Sequence, residues 1–227
     1  TAGPITRTVT DAALLDSVLT QEPVTALAET PLAGVRLGVP KAFFYEDLSP
    51  RVSAAMERSL NALTAAGVTL IYADIANIEA LNGAVGFPVV LYETNQLLRS
   101  YLATHRPDLQ IDAFLSTIAS TDVKGVVGDA LSGVIDEATY QTAVNDHRAT
   151  LQAAYQRYFD RHSVDAVVFP TTPVEARPIA SSLEVVEVNG KSMPTFTTYI
   201  RNTDPGSNAQ RGDGARELVR DGGAVIR

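Results

Sequence analysis

The side chains with the most chemical potential in this sequence cluster in three stretches. Phe169-Pro170-Thr171-Thr172-Pro173 sets two hydroxyls between two prolines. Tyr199-Ile200-Arg201-Asn202-Thr203-Asp204-Pro205-Gly206-Ser207-Asn208-Ala209 is dense in hydroxyl and amide groups. Between Phe87 and Leu98, Tyr92 and Glu93 place a phenol and a carboxylate among aliphatic residues. Hydroxyls and amides held on a loop can orient a polar ligand, and a partly buried carboxylate can line a pocket. Each stretch also has a plainer reading. The threonines fit ordinary turn positions, and Glu93 fits an acid facing solvent beside a core tyrosine.

Other chemistries lack the residues they need. There is no cysteine, which removes disulfides, thiolate metal sites and a cysteine nucleophile. His105, His147 and His162 are too scattered for a metal cluster. Each falls in or at the end of an expected helix, where a solvated or capping role suffices. No phosphate-binding loop of the Walker A kind, dinucleotide-type glycine loop or helical His-Glu metal motif is present.

The elements that must position these groups follow from local pattern. Val164 to Phe169 is an almost unbroken β-branched and aromatic run, as in a strand buried on both faces. Pro170 and Pro173 remove ladder donors, so the strand ends there and the threonines lie on the loop leaving its carboxyl edge. In open α/β sheets that edge is where ligands bind. Before it, Asp136 to Arg161 is free of Gly and Pro, and Tyr140, Val144, Leu151, Tyr155, Tyr158 and Phe159 recur at helical spacing. One long helix is expected.

Earlier in the chain, Thr8 or Thr10 can cap a helix through Leu19. Gly34 to Pro40 reads as a strand, Ser49-Pro50 opens a helix to about Ala66, and Gly67 stops it before the strand Val68 to Tyr72. That spacing suits a parallel crossover. Residues 76 to 133 read as helical, with breaks at Gly83, Gly86, Pro88, Pro107 and Gly125. Val185 to Met193 alternates around Asn189-Gly190, a hairpin signal. The run from Asn202 to Ala209 reads as a polar turn. The fold class is α/β, a mixed β-sheet layered with helices.

With 45% hydrophobic and 19% charged residues, the chain has the composition of a globular protein with a real core. Its net charge of −8 and lack of basic runs argue against nucleic acid or an acidic membrane as partner. No apolar stretch approaches a membrane span and no signal-peptide pattern opens the chain, so a soluble, cytoplasmic protein is expected.

Three stretches taken together, Gly3 to Ala13, Val164 to Pro173 and Tyr199 to Ala209, resemble the amidase signature family. The similarity is to its indoleacetamide hydrolase and mandelamide amidase branch, which shares the Phe-Pro-Thr-Thr-Pro and Ile-Arg-Asn-Thr-Asp-Pro-Gly-Ser-Asn-Ala wording. It covers positions 1 to 209. The resemblance implies an α/β/α fold and hydrolysis of a carboxamide to carboxylate and ammonia, without metal or organic cofactor. It also implies a serine nucleophile, a second serine held by a cis peptide and a lysine base.

In the family those groups precede the Gly-Pro-x-x-Arg-Thr-Val motif, which starts here at Gly3. The expectation is therefore a C-terminal portion of an amidase domain, incomplete at both ends of the family fold, without the triad and inactive alone. Lys41, Lys124 and Lys191 match no family lysine motif and receive no catalytic role. If the remainder were supplied, the substrate-binding candidates are Phe87, Tyr92, Thr172, Tyr199, Arg201 and Asn202. Aromatics would flank an aryl side chain and polar loop groups would orient the amide.

Residues 210–227, charged and rich in glycine and arginine, read as a divergent tail that packs poorly. The alternatives are a non-catalytic α/β module that binds a ligand or partner, and a truncated gene product without function. An exposed sheet edge could promote self-association.

Overall fold

A computed structural model describes residues 5–21, 23–24, 31–209 and 224–226. The Gly3-Pro4 turn and residues 210–223 of the expected tail lie outside them. Thr8 accepts the Asp11 N–H on its hydroxyl at 3.0 Å and opens α1 (Val9–Thr20), none of whose residues is buried.

The strand-helix-strand unit follows as its caps dictate. After β1 (Arg36–Gly38), the Ser49 hydroxyl accepts the Val52 N–H and Pro50 takes the first position of α2 (Pro50–Ala65). The chain then reverses through Gly67 at φ +94, a conformation that favours glycine, into β2 (Thr69–Ile71). β1 and β2 pair in parallel, Arg36 opposite Thr69.

α3 (Ile78–His105) runs unbroken through Gly83, Gly86 and Pro88, where breaks were expected. Pro88 removes a single N–H, and Val85, Gly86 and Val89 on either side of it are buried. Packing outweighs the local cost. The break at Pro107 is real, and α4 (Ile111–Ser116) and α5 (Thr121–Ser132) follow, with Gly125 inside α5.

The next rod is helical from α6 (Glu137–Thr142) through α7 (Arg148–His162), as its spacing required. Between them Ala143–His147 form a single π-helical turn. A π turn inserts one residue into the helix and rotates everything after it by about 100°.

β3 (Ala166–Val168) is buried along its whole length. β4 (Val185–Val188) and β5 (Lys191–Pro194) form the expected antiparallel hairpin, with Asn189 at φ 52 and Gly190 at φ 77 in the turn. α8 (Thr195–Ile200) comes next. The polar run expected as a turn is largely helical, forming α9 (Asp204–Ala209). Asp204 meets the positive end of the helix dipole and Pro205 is pre-set for the first turn. Within the tail expected to pack poorly, the backbone of β6 (Ala224–Ile226) pairs in parallel with β3.

The main sheet has the order β2-β1-β3-β6 and is parallel throughout the described strands; the antiparallel pair lies apart from it. Its alternation separates two cores. Leu37, Val39, Ala166 and Val168 pack with Leu60 and Val68 on the α2 side. Val167 and Phe169 pack with Val85, Val89, Leu151, Tyr155 and Tyr158 on the α3 and α7 side. The result is a helix-sheet-helix sandwich. Gly38 belongs to it for a steric reason: a Cβ there would fall 2.7 Å from Cε1 of Tyr158.

Candidate active-site cleft

In the order β2-β1-β3, the chain moves from β1 outward to β2, then returns past β1 to β3. Such a reversal opens a crevice between the carboxyl ends of β1 and β3. Two loops enter it. The one after β1 carries Phe43, at φ 70, and the buried Phe44; the one after β3 carries Phe169 and Pro170. The rings of Phe44 and Phe169 lie 4.5 Å apart at their centroids.

Asn202 ties these loops together. Its Nδ2 donates to the carbonyls of Phe44 at 2.7 Å and Pro170 at 2.8 Å, and its Oδ1 accepts from Arg201 Nε at 3.0 Å. It is 0% exposed, and its amide supplies donors to two carbonyls that have left their strands. Arg201 continues the strap through Nη2, which donates to the Glu46 carbonyl at 2.7 Å, with its guanidinium 5.8 Å from the Phe43 ring centre. Burial draws its basicity below the ordinary value while Asp47, Glu46 and Glu79 oppose that pull. The group stays a cation.

Beside this strap lies a cavity of about 170 Å³, walled by Phe43, Phe87, Thr197, Ile200 and Arg201, with Glu79, Asn82, Gly83, Gly86 and Asp204 along α3 and the start of α9. Its floor is a polar chain. Asn208 Nδ2 donates to Asn82 Oδ1 at 2.7 Å, and Asn82 Nδ2 donates to Asp204 Oδ2 at 3.2 Å. Burial pushes the Asp204 carboxyl above its ordinary range, against the pull of both asparagine amides. Gly86 makes this possible, because a Cβ there would lie 2.7 Å from Asn208 Nδ2.

The structure brings Phe87 and Arg201 together in this cleft and sets Asn202 directly behind. The other three candidates stand elsewhere. Thr172 donates to the Val174 carbonyl at 2.8 Å within the turn after β3. Tyr199 donates to the Glu175 carbonyl at 2.9 Å and packs with Val174, Val186 and Val188 beside the hairpin. Tyr92 stacks on Tyr140 at 4.2 Å, its hydroxyl donating to Glu137, while Tyr140 donates to Glu93 at 2.9 Å. That pair joins α3 to α6, so Glu93 is occupied there. Phe43, Glu79 and Asn82 line the cleft without having been singled out; no local pattern marks them.

Several serine hydroxyls form structural bonds. Ser49 donates to Glu175 at 2.6 Å and holds that carboxyl below its ordinary range, while Ser17, Ser59, Ser116 and Ser132 donate to carbonyls of their own helices. Among the described residues no set of three or more His, Asp or Glu side chains gathers as metal ligands. No helix among them is long and apolar enough to cross a membrane.

The α/β/α sandwich with its crevice at the β1/β3 reversal defines a class, and the sequence fixes which. The amidase family model matches residues 1–213, and the chain belongs to that family. It is similar to the indoleacetamide hydrolase of Agrobacterium vitis, at 38% identity over 210 residues, covering 92% of this chain and 44% of that protein. It is also similar to the mandelamide hydrolase of Pseudomonas putida, at 34% identity over 224 residues, covering 92% of this chain and 41% of that one. Among solved structures, an amidase superposes with a TM-score of 0.66 at 24% identity, over 91% of this chain and 43% of that one. The native peptide amidase of Stenotrophomonas maltophilia gives 0.56 at 20% identity, over 92% and 45%. The chain spans less than half the length of these relatives.

Proposed function

We propose that this chain forms the substrate-facing wall of a hydrolase that converts carboxamides with an aryl-acetamide-like side chain to carboxylate and ammonia. The reacting serine and its base are supplied by residues outside these 227, and the chain alone is inactive. The observation that carries the reading is the cleft at the carboxyl ends of β1 and β3, where two phenylalanines face a strapped arginine.

Phe43 and Phe87 offer apolar faces to a planar ring. Arg201 has committed N–H groups to Asn202 and Glu46, which fixes its plane, and keeps the rest of its donors for a carbonyl oxygen. Amide cleavage further needs an activated nucleophile and donors for the tetrahedral oxyanion. None of the serine bonds above pairs a hydroxyl with a base of that kind. The cavity volume agrees: about 170 Å³ is smaller than the roughly 300–1,000 Å³ of sites that enclose a small ligand. The names of the relatives support indole-3-acetamide and mandelamide as first substrates to test.

The test is ammonia release from both amides by the purified 227-residue chain, alone and joined to the part of the Agrobacterium vitis relative that it does not cover. No release above buffer is expected alone and saturable release when joined. Turnover by the chain alone would overturn the proposal.

A further inference from the structure

We infer that Glu79 is a specificity residue that works as a pair with Arg201: Glu79 accepts the N–H groups of a primary carboxamide while Arg201 donates to its oxygen, and the same pair rejects the carboxylate that hydrolysis leaves. The inference rests on the reading above that the cleft receives an amide, and it adds how the cleft tells substrate from product.

Both side chains line the cavity of about 170 Å³, together with the rings of Phe43 and Phe87. Arg201 is held in place by its bonds to Asn202 and to the Glu46 carbonyl, and what remains of its guanidinium can only donate. Glu79 is its chemical opposite, a group that can only accept, and among the described residues it makes neither a hydrogen bond nor a salt bridge. The two feel each other's charge, since Glu79 opposes the loss of basicity that burial imposes on Arg201, yet no salt bridge joins them. The other acid of the cleft is already engaged: Asp204 accepts from the amides of Asn82 and Asn208.

A donor-only group and an acceptor-only group on one wall select a ligand that carries both functions. A primary carboxamide does, with a carbonyl oxygen for Arg201 and an NH2 for Glu79. A carboxylate has acceptors alone. It could use Arg201 but would meet Glu79 as a like charge with no proton to share, with Asp204 adding to the repulsion. Hydrolysis turns the first ligand into the second, so the pair that holds the substrate also expels the acid. As an acid in the first turn of α3, Glu79 also faces the positive end of that helix's dipole. That role accounts for an acid at this position but not for its place on the cleft wall beside Arg201.

The experiment uses the chain joined to the part of the Agrobacterium vitis relative that it does not cover. The readouts are KM and kcat for indole-3-acetamide and the inhibition constant of indole-3-acetate, with calorimetric dissociation constants in their place if the joined protein does not turn over. Glu79→Gln should raise KM about fivefold with kcat little changed, and should tighten indole-3-acetate about tenfold. Opposite shifts for the two ligands are what a merely structural role would not produce. Glu57→Gln, which removes the same charge from an exposed position of α2, should move neither constant. The same pair of shifts is expected with naphthalene-1-acetamide and its acid, whose rings carry no N–H; shifts confined to the indole compounds would overturn the inference by assigning Glu79 to the ring. It is also overturned if both constants move in one direction, or if Glu79→Gln lowers only the unfolding midpoint, as a dipole role alone would. Turnover with unshifted constants would overturn it while keeping the proposed function. Opposite shifts without turnover would do the reverse, and failure of both ligands to bind would overturn both.

Discussion

Replacing Asn202 by alanine should be among the most damaging single changes in this chain, and the size follows from its bonds. The side chain is fully buried and supplies the donors for the Phe44 and Pro170 carbonyls. Stranding a buried acceptor costs about 1–3 kcal/mol, so two of them cost about 4 kcal/mol in all. The Arg201 Nε bond adds little, because that side chain is only partly buried and water can replace the lost acceptor. With a urea slope of about 2–3 kcal/mol per molar for a chain of this size, the unfolding midpoint should fall by about 1.5 M.

Far-UV circular dichroism across a urea series measures this, with exchange at the β3 amides as a second readout. Thr172→Val is the control, removing a bond of similar length from a partly exposed turn, at a cost of about 1 kcal/mol. Asn202→Asp sharpens the test. Ionised, it offers no donor to either carbonyl, so it should destabilise at neutral pH; protonated, it regains one. Its folded pKa is thereby raised, so the loss should grow as pH rises through the carboxylate range. A midpoint shift below about 0.3 M for Asn202→Ala, or equal costs for Asn202→Ala and Thr172→Val, would refute the strap as the element that fixes the crevice.

Other outcomes follow from the same geometry. Gly86→Ala should destabilise by about 1–2 kcal/mol despite alanine's better helix propensity, because its Cβ displaces Asn208, while Gly83→Ala, with open space around it, should stabilise by about 0.5–1 kcal/mol; thermal melts of the pair distinguish packing from propensity. Asp204 has a raised folded pKa, so its burial is a cost that appears as pH rises through its unfolded value and is complete above the folded one. Asp204→Asn should therefore match the parent at low pH and exceed it in stability at neutral pH, as read by urea midpoints across pH 3 to 8. In the completed enzyme, Phe87→Ala should raise KM for an aryl amide about tenfold and change kcat less, as expected for loss of an apolar contact worth about 1–1.5 kcal/mol in ground and transition states alike.

Much of the scaffold was legible because its signals are local. Ser49-Pro50, Gly67 and Asn189-Gly190 each encode a boundary in adjacent residues, and the structure places caps and turns there. Val164 to Phe169 announced a doubly buried strand because alternation disappears between two helix layers. The breaks assigned to Gly83, Gly86 and Pro88 failed since α3 is held by side chains more than a hundred residues away, Asp204 and Asn208 among them. For the same reason the polar run at 202–209 did not remain a turn. Its amides are committed to tertiary bonds that no local rule anticipates.

The cleft was half visible. Phe87 and Arg201 were named from a helix and a loop and meet in space. Phe43, Glu79 and Asn82 join them only through the β1 loop and the start of α3, positions without a distinctive spacing. Tyr92 drew notice for its hydroxyl and neighbouring acid, yet both are used in joining α3 to α6.

The π turn at Ala143–His147 lets a single rod serve two addresses. Ahead of it Tyr140 reaches Tyr92 and Glu93 on α3; past it Arg148 and Gln152 grasp the Asn208 and Ala209 carbonyls, and Leu151, Tyr155 and Tyr158 enter the core over the sheet. The extra residue works as a gear offset between those halves. Excising one position there would regularise the helix and, by the same rotation, force it to give up either its grip on α3 or its seat on the sheet.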